Sequence, residues 1–453
     1  MTGSMSMRQA AEAVLHTLRG AGHEAYFAGG SVRDLLMERE PLDYDIATSA
    51  RPEAVQALFP RTVAVGVAFG VVVVLHGGHE LQVATFRADG VYLDGRHPTS
   101  VRYSSAEQDV ERRDFTINGL LYDPVQQTVL DYVGGQDDIA ARVVRCIGDP
   151  RARFSEDRLR LLRAIRFAVR FGFTIERQTW QALRELAPDL GAVSAERVWD
   201  ELLKMLTGPE PERALRLLEE SGLLAEVLPE VAAMVGLDQP PRFHPEGDVF
   251  EHTARTLGQL APPPGLAPWE REALWLAALL HDVGKPSTQS VTDRIRFHDH
   301  APVGASLAEE ICQRLRLSTA HVRRVRALVA DHMRFLDVEQ MRRSTLLRFL
   351  RLPHMPSLLA LHRADRLAGD GDLREHDFCV QQLARLPPEE LRPPRLLDGH
   401  ALLALGFPAG PGLGDVLRAL EDAQLSGDVT TREQAEAWAR QRFQDGPRNE
   451  EEK

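Results

Sequence analysis

Residues 26–34 read Tyr26-Phe27-Ala28-Gly29-Gly30-Ser31-Val32-Arg33-Asp34, and Asp43-Tyr44-Asp45 follows eight residues later. The apolar start predicts the end of a buried strand. Gly29 and Gly30 lack the Cβ atoms that would hold a phosphate away from the backbone amides at the following helix start. Arg33 can add a charge-assisted contact to the same anion. This short βαβ-like stretch therefore predicts a phosphate-binding turn in a mixed α and β fold.

The two carboxylates that end this stretch predict metal binding. Asp43 and Asp45 lie two residues apart, so on a strand their side chains leave the same face and can share hard cations. Two such ions can activate an attacking hydroxyl and stabilise a leaving oxygen in nucleotidyl transfer. If the glycine turn or the pair of aspartates is taken alone, the alternative to ligand binding is an ordinary Gly-Gly turn with a solvated acidic strand end. Their combination in this order favours nucleotide binding.

Composition limits the architecture and the compartment. A chain of 453 residues is too long for one core and predicts two to four domains. Its 43% hydrophobic and 6% aromatic content is typical of a helix-rich soluble protein, and no apolar run is long enough to span a bilayer. Three isolated cysteines (Cys146, Cys312 and Cys379) argue against a disulfide framework or a cysteine zinc site. The amino terminus has no export pattern, so we expect a cytoplasmic protein.

The charge balance neither requires nor excludes a nucleic-acid partner. The net charge of −12 disfavours one, but nearly all the cations are arginine, with lysine only at positions 204, 285 and 453. Arginine suits bidentate contacts with phosphates and bases. A genome rich in G and C would give the same bias without functional meaning.

Further along, residues 62–75 and 79–86 predict strands, and the polar, glycine-bearing segment 89–98 predicts a mobile loop. Next comes Arg112-Arg113-Asp114-Phe115-Thr116-Ile117-Asn118, which places two arginines before a buried-looking segment. Paired arginines are more often surface charge than ligand contacts. This segment is weak evidence when taken alone.

The ordered set of motifs is more specific than any one of them. It continues with Asp131-x-x-Gly134-Gly135-x-x-Asp138, with Glu156-Asp157-Arg158-Leu159-Arg160-Leu161-Leu162-Arg163-Ala164-Ile165-Arg166-Phe167 and with Ser194-Ala195-Glu196-Arg197. In this order the motifs resemble those of bacterial tRNA nucleotidyltransferases and poly(A) polymerases. The resemblance implies an α+β head with a small palm-like sheet, followed by a helical neck.

The segment from residue 156 predicts one helix that carries a stripe of arginines. Arg160, Arg163 and Arg166 recur every three residues, and Asp157 lies one turn before Arg160 on nearly the same face. An acid beside a guanidinium can hydrogen-bond the edge of cytosine or adenine, and a surface ion pair is the alternative. The resemblance implies that Asp157 and Arg160 read the incoming base, and that Arg163 and Arg166 contact the nucleotide or its phosphates.

The resemblance also implies roles in the head. Gly30, Arg33 and Arg113 would hold the triphosphate and ribose, while Asp43 and Asp45 would bind catalytic Mg²⁺. One position departs from the family pattern, because some relatives carry an acid where this chain has Gln82, and an amide is a poorer metal ligand. Glu80, two residues earlier on the same strand face, is the candidate substitute.

A second constellation of metal-binding residue types begins near residue 245. Adjacent His-Asp at a helix end, with further histidines from separate helices, can bind one or two divalent ions and generate a hydroxide nucleophile. The pattern resembles the HD phosphohydrolase superfamily over roughly 245–370, which implies an all-helical domain with a divalent transition metal. A retained structural metal site is the alternative to phosphodiesterase or phosphatase activity. The predicted ligands are His252, His281, Asp282, His300, His332 and Asp365, and His298 lies nearby in sequence.

The sequence as a whole predicts four domains: a nucleotidyltransferase head (1–150), a helical neck for base selection and RNA binding (151–240), an HD domain (241–385) and a helical tail that binds tRNA (395–445). We expect a template-independent enzyme that adds CTP and ATP to tRNA 3′ ends and releases pyrophosphate. An A-adding enzyme, a poly(A) polymerase, a protein that is chiefly an HD phosphohydrolase and a non-catalytic RNA-binding protein remain alternatives. The 89–98 loop argues against a CC-only enzyme. Oligomeric state leaves no signal in the sequence.

Overall fold

The computed structural model describes residues 5–63, 70–89, 101–240 and 244–444. The chain forms two compact units, Met1–Ala232 with Arg314–Arg316 and Ala233–Gln313 with Leu317–Lys453. The predicted loop at 89–98 lies outside the described residues except for Asp89, as do residues 64–69 of the predicted strand 62–75. The division into four domains stays a prediction.

The first unit contains a mixed sheet and a set of helices. Its strands are β1 Ala25–Ala28, β2 Asp45–Thr48, β3 Thr62–Val63, β4 Val71–His76, β5 His79–Thr85, β6 Arg87–Asp89, β7 Val101–Tyr103, β8 Leu120–Asp123, β9 Thr128–Asp131, β10 Val143–Val144 and β11 Thr174–Ile175. Its helices are α1 Met7–Gly20, α2 Gly30–Leu36, α3 Pro52–Leu58, α4 Ala106–Glu111, α5 Gly135–Ala141, α6 Pro150–Glu156, α7 Leu159–Phe171, α8 Arg177–Leu186, α9 Ala195–Leu206, α10 Pro211–Glu220, α11 Leu223–Val227 and α12 Pro229–Ala232. The described residues of the unit also form 3₁₀ helices at Thr116–Asn118 and Ala187–Ala192.

The main sheet has the strand order β3-β4-β5-β2-β1-β8-β9. The predicted strand, glycine turn and helix are confirmed by β1, Gly29 and α2. The predicted strand–helix–strand order is confirmed, and the two strands around that helix pair antiparallel, with Ala28 opposite Asp45. Asp43 precedes β2 and does not share a strand with Asp45. The antiparallel register nevertheless brings the carboxylate segment beside the glycine turn.

Apolar side chains on the inner face of this sheet explain its stability. Phe27, Ile46 and Val83 are fully buried or nearly so and belong to one core with Val14 and Leu18 of α1. The start of α1 is fixed by a capping box, in which Ser6 accepts from the Gln9 amide and the Gln9 side chain accepts from the Ser6 amide. The sheet is therefore a rigid base for the polar residues at its edge.

The predicted single helix from residue 156 is two helices. Helix α6 ends at Glu156, and Asp157 adopts extended angles (φ −142°, ψ 104°) before α7 begins at Leu159. The Asp157 carboxylate accepts a hydrogen bond from the Leu159 amide at 3.1 Å. Short acidic side chains commonly bind the free N–H groups at a helix start, and this competes with continuing a helix. The prediction that Asp157 and Arg160 share one helical face was therefore wrong.

Within its described residues, the second unit is helical apart from one hairpin, β12 Gln289–Val291 with β13 Ile295–Phe297. Among the described residues, no helix has both the length and the apolar character that crossing a membrane requires. The expected α+β head followed by helical segments is confirmed. The helices are α13 Val249–Gln259, α14 Pro268–Leu280, α15 Lys285–Thr288, α16 His300–Arg314, α17 Thr319–Asp331, α18 Arg343–Leu350, α19 Met355–Ala368, α20 Arg374–Arg385, α21 Pro388–Leu391, α22 Gly399–Ala404, α23 Pro411–Ser426 and α24 Arg432–Gln444, with 3₁₀ helices at His332–Phe335 and Val338–Gln340.

Helix α14 is the centre of this unit. Every residue from Ala273 to Leu280 is buried, and α13, α17 and α19 pack around the helix. Directly after it, the backbone of Gly284 approaches the backbone of α16. A Cβ at Gly284 would lie 2.2 Å from the His300 carbonyl oxygen and 2.6 Å from the Gly304 nitrogen. This contact requires glycine because backbone atoms cannot move aside as a flexible side chain can.

We predict that Gly284→Ala destabilises the protein by about 2 kcal/mol or more, because an added methyl group in a tightly packed contact forces the backbone to shift. Gly414→Ala is the matched control, since a Cβ at Gly414 in α23 meets nothing within 4 Å and alanine favours a helix by about 1 kcal/mol. Differential scanning calorimetry of the full chain measures both variants. Equal melting temperatures for the two would contradict the close approach.

Candidate functional site

The carboxylates at the start of β2 lack cationic partners. Asp45 is half-buried and Asp43 is exposed, and neither forms an ion pair in the part of the chain that the structure describes. Burial, followed by the charge of Asp43, raises the pKa of Asp45 to about 6. The charge of Arg113 opposes part of this rise in the pKa, and the two adjacent carboxylates repel each other. Their oxygens are the ligands that hard divalent cations prefer, so the residues fit such an ion.

The glycine turn lies against an arginine. Gly29 has φ +68°, in the left-handed region that glycine adopts without strain, and a Cβ there would lie 2.9 Å from Arg113 Nη1. Glycine at this position therefore allows both the turn and the close approach of a guanidinium to the backbone. This agrees with the sequence argument for the turn.

A cavity of about 520 Å³ opens beside these residues. Seven of the nine predicted nucleotide and catalytic residues of the first unit line it, whereas Asp157 and Arg160 do not. The lining residues are Gly30, Arg33, Asp34, Leu42, Asp43, Asp45, Arg112, Arg113, Asp114, Asn118, Arg163, Arg166, Phe167 and Arg170.

The two predicted base-reading residues pair with other partners. The Asp157 carboxylate accepts from Arg197 Nη2 at 3.0 Å. Arg160 Nη1 donates to Glu156 at 2.6 Å, and its Nη2 donates to the Arg112 carbonyl at 3.2 Å. Sequence reasoning missed Arg197 and Glu156 as partners, although both stand in the motifs that carried the resemblance. Base reading by Asp157 and Arg160 stays a prediction.

A polar network fixes two of the cavity arginines. Arg33 Nη1 donates to Asn118 Oδ1 at 2.6 Å, and Asn118 Nδ2 donates to Asp114 at 3.0 Å. Asp114 also accepts two bonds from Arg163, at 2.5 and 2.8 Å. Burial alone would raise the pKa of Asp114, but Arg163 and the Asn118 bond lower that pKa to about 2. Asp114 is therefore a permanent anion between the arginines.

Other acids neutralise the remaining paired arginines. Asp109, which is almost fully buried, accepts from both Arg112 and Arg113 at 2.7 and 3.0 Å. Glu201 of α9 accepts from Arg166 Nε at 2.5 Å, and both side chains are buried. Sequence reasoning missed Asp109, although it stands three and four residues before Arg112 and Arg113, the spacing of neighbours on a helix. Glu201 stands four residues after Arg197, so the motif beginning at Ser194 extends further than its quoted part.

Gln82, the residue at which this chain departs from the family pattern, lies next to Asp45. Strands β2 and β5 run parallel with Ile46 beside Val83. Extending this register by one residue places Asp45 beside Gln82, on the face opposite the buried Ile46 and Val83. Glu80 lies one pleat repeat further along, opposite Leu75, roughly 7 Å away along the strand. An amide therefore occupies the position next to Asp45, and the substitution by Glu80 stays a prediction.

In the second unit the six predicted HD residues converge. His252 Nε2 lies 2.8 Å from Asp365 Oδ1, and His281 Nε2 lies 3.3 Å from Asp282 Oδ2. On the other side of Asp282, His300 Nε2 lies 3.6 Å from Asp282 Oδ1.

The same side holds His332, whose Nε2 is 3.8 Å from Asp282 Oδ1 and 3.3 Å from His300 Nε2. Two groups of possible ligands therefore share Asp282: one with His252 and His281, and one with His300 and His332. His298 is exposed, outside both groups.

Backbone carbonyls orient three of these imidazoles. The Nδ1 atoms of His281, His300 and His332 lie 2.8, 2.9 and 2.7 Å from the carbonyl oxygens of residues 278, 297 and 329. An Nδ1–H that donates to a carbonyl leaves Nε2 as the unprotonated nitrogen, the form that binds metals. His281 Nε2 is buried and, although Asp282 Oδ2 lies 3.3 Å away, it forms no hydrogen bond of good geometry with any described residue. The donor set therefore fits one or two divalent ions.

Sequence reasoning missed two groups around this centre. Glu246 Oε1 accepts from His252 Nδ1 at 2.5 Å and from His244 Nδ1 at 2.9 Å. Lys285 Nζ lies 2.6 Å from Asp282 Oδ2. A cavity of about 340 Å³ lies beside the ligands, with Phe297 and Phe335 in its wall. In metal sites, a carboxylate often accepts a hydrogen bond from the ring nitrogen of a ligand histidine that does not bind the metal. The number of residues between the carboxylate and that histidine varies.

Three family models match parts of this chain. Residues 25–145 match the family described as Poly A polymerase head domain, residues 172–235 the probable RNA and SrmB-binding site of polymerase A, and residues 249–370 the HD domain. An A-adding tRNA nucleotidyltransferase of Deinococcus radiodurans is 36% identical over 93% of this chain and 96% of its own length. The chain belongs to the tRNA nucleotidyltransferase and poly(A) polymerase family. The resemblance found in the sequence is therefore confirmed, including the HD domain.

Other members of the family are similar over different lengths. A CCA-adding enzyme of a Geobacillus strain is 48% identical over 216 residues, which are 48% of this chain and 53% of that enzyme. The matched part thus spans about half the length of such relatives. The crystal structure of the Bacillus stearothermophilus CCA-adding enzyme in complex with CTP is 30% identical with a TM-score of 0.72, over 98% of this chain and 99% of that one.

We predict that Asp114 makes the stability of the protein depend on acid pH. Its folded pKa is about 2, below the usual value of about 3.9. The stabilisation is present above pH 4 and is lost as the pH falls towards 2. It amounts to about 2 kcal/mol. The Asp114→Asn variant should therefore be less stable than wild type at pH 5, and the difference between their free energies of unfolding should become smaller as the pH is lowered to 2.5. The exposed Asp137→Asn is the control, and a constant deficit across this range would contradict the Arg163 pairing.

Proposed function

We propose that this protein is a template-independent tRNA nucleotidyltransferase that adds CTP and ATP to the tRNA 3′ end. The observation that carries the proposal is the pair Asp43 and Asp45, which forms no ion pair among the described residues and lines a cavity whose other walls are rich in arginine. A nucleoside triphosphate with divalent ions supplies the missing charges of both signs. The tRNA 3′-oxygen attacks the α-phosphorus, the bond to the β-phosphate oxygen breaks, and pyrophosphate leaves.

Residues of the chain hold the reactants. Asp43 and Asp45 would bind Mg²⁺, which when bound lowers the pKa of the attacking hydroxyl and stabilises the leaving oxygen. Gly30, Arg33 and Arg113 hold the triphosphate and ribose. The network through Asn118 and Asp114 keeps two cavity arginines in place without any reorganisation during the reaction, and such fixed charges stabilise a transition state best.

Base selection falls to the remaining predicted residues. Arg197 and the Leu159 amide orient the Asp157 carboxylate, and Glu156 orients Arg160. Each side chain thus keeps hydrogen-bonding capacity for a base edge. Arg163 and Arg166 support the nucleotide from the same helix. The partners in this proposal are tRNA, CTP and ATP, and the compartment is the cytoplasm, where tRNA is used.

A addition alone is the second candidate. It is favoured by the similarity to the Deinococcus A-adding enzyme, which extends over almost the full length of both chains. Incubation with tRNA transcripts that end before CCA, after C and after CC separates the two. Labelled CTP and ATP are supplied singly and together. Completion of CCA on all three transcripts supports full CCA addition, and A addition only to the CC-ended transcript supports the second candidate.

We predict that Asp45→Asn and Asp43→Asn each reduce incorporation at least a hundredfold, because an amide cannot replace a carboxylate as ligand to the catalytic ions. The matched control is Glu53→Gln, which neutralises an acid in α3 of the same unit. Single-turnover incorporation of ATP into the CC-ended transcript measures the effect. Near wild-type rates in both aspartate variants would rule out catalysis at this site.

We propose that the HD centre is a separate phosphoester hydrolase site with a divalent transition metal. Its support is the arrangement of buried imidazoles, with Nδ1 atoms on backbone carbonyls and Nε2 atoms directed to shared carboxylates. The metal supplies a hydroxide nucleophile when bound. Asp282 and Asp365 carry the negative charge that holds it. Mixed histidine and carboxylate ligands favour transition metals over Mg²⁺.

We predict that Asp282→Ala removes metal and phosphoester hydrolysis while nucleotide incorporation stays within about twofold of wild type. Asp282 joins both ligand groups, so its loss disrupts each of them. Metal content by mass spectrometry and hydrolysis of p-nitrophenyl phosphate with Mn²⁺, Co²⁺ or Ni²⁺ measure the first part. Retention of hydrolysis in this variant would show that the activity arises elsewhere. Loss of incorporation would contradict the separation of the two sites.

A further inference from the structure

The cavity of the first unit contains one arginine unlike the rest. Six arginines line it, and five of them lie within ion-pair distance of an acid. Arg33 pairs with Asp34, Arg163 with Asp114 and Arg166 with Glu201, while Asp109 pairs with the two others. The sixth, Arg170, has no acidic partner within the described residues.

The surroundings of Arg170 increase its need for an anion. Its guanidinium lies over the Phe171 ring at 5.2 Å from the centroid, and Arg33 lies over the same ring at 4.4 Å. Arg39, which is exposed and also without an acidic partner, lies 5.5 Å from that centroid. Three guanidinium groups therefore lie near one buried ring. Asp34 pairs with one of them, Arg33. Like charges gathered in this way favour binding of a multivalent anion.

The electrostatics of Arg33 show that the cluster is close enough to interact. Burial lowers the pKa of Arg33, the Asp34 carboxylate opposes that effect, and the charge of Arg170 lowers the pKa further. Asp43 and Asp45, by contrast, repel phosphate unless cations intervene. The cavity thus has a carboxylate side for metal ions and an uncompensated cationic side at Arg170. A triphosphate can satisfy both sides at once.

We propose that Arg170 binds the terminal phosphates of the incoming nucleoside triphosphate, and the pyrophosphate that leaves. The inference rests on the proposed transferase function and adds a binding residue to it. In this arrangement the phosphate chain lies between the guanidinium groups of Arg33 and Arg170, which are both over the Phe171 ring. Arg170 is suited to this task because no acidic side chain among the described residues neutralises its charge, whereas each of the other five cavity arginines pairs with an acid.

The test compares ligands with and without terminal phosphates. Dissociation constants for ATP, CTP, pyrophosphate and AMP are measured by isothermal titration calorimetry with Mg²⁺, using wild type and Arg170→Ala. We expect ATP, CTP and pyrophosphate to bind about tenfold more weakly to the variant, as for loss of one charge-assisted contact. AMP should bind within twofold of wild type. Arg61→Ala, which removes an exposed arginine elsewhere in the unit, should leave all four constants unchanged.

Kinetics give a second readout. The KM for ATP on the CC-ended transcript should rise about tenfold in Arg170→Ala with kcat within threefold, and Arg170→Lys should recover part of the loss because it keeps a charge. Unchanged ATP and pyrophosphate binding would overturn the inference, as would equal weakening of AMP. Weaker tRNA binding without weaker ATP binding would overturn it too, by assigning Arg170 to RNA phosphate. Failure of the wild type to bind ATP or CTP would instead overturn the proposed function itself.

Discussion

The antiparallel pairing of β1 with β2 is the constraint on which the first site depends. Ala28 stands opposite Asp45, so the end of β1 lies beside the start of β2. The glycine turn that follows β1 therefore lies next to the carboxylates that precede and begin β2. Helix α2 starts at this turn and supplies Arg33. Acidic side chains then neutralise most of the cavity arginines, and Asp43 and Asp45 form no ion pair within the part of the chain that the structure describes. The pairing of these strands thus decides where unbalanced charge accumulates.

The two units hold their candidate metal ligands by different means. In the first unit, the exposed Asp43 and the half-buried Asp45 at the start of β2 would bind ions that arrive with a triphosphate. In the second, buried histidines are oriented by carbonyl oxygens of their own helices and loops, so the ligand geometry exists before any ion binds. The close backbone contact of Gly284 with α16 holds His281 and Asp282 near His300. Rigid pre-formed ligands favour tight metal binding, whereas open carboxylates favour exchange with each substrate.

Much of this organisation could be predicted from the sequence, and the failures have physical reasons. The turn at Gly29 and the strand at Ala25–Ala28 followed from a local motif whose spacing limits its geometry, and the six converging HD residues followed from the resemblance to the HD phosphohydrolase superfamily. The break at Asp157 did not, because helical periodicity continues through a residue whose side chain caps the next helix. Glu201 was missed because its ion pair with Arg166 joins helices that are 35 residues apart in sequence, and tertiary packing decides which helices meet. Asp109 and Glu246 lie within six residues of their partners, but acids near arginine or histidine are common on protein surfaces, so this spacing alone does not identify a buried pair. The segment 89–98 lies almost entirely outside the described residues, so the expectation drawn from it stays a prediction.

The central claim is that nucleotidyl transfer takes place at Asp43 and Asp45. Anomalous diffraction from crystals of the full chain grown with Mn²⁺ and a non-hydrolysable CTP analogue tests it most directly. The account predicts manganese peaks within ligand distance, about 2.1–2.2 Å, of the Asp43 and Asp45 oxygens and of the analogue's α-phosphate, as octahedral ions of this size require. Manganese confined to the HD centre, or a triphosphate bound away from these carboxylates, would contradict it.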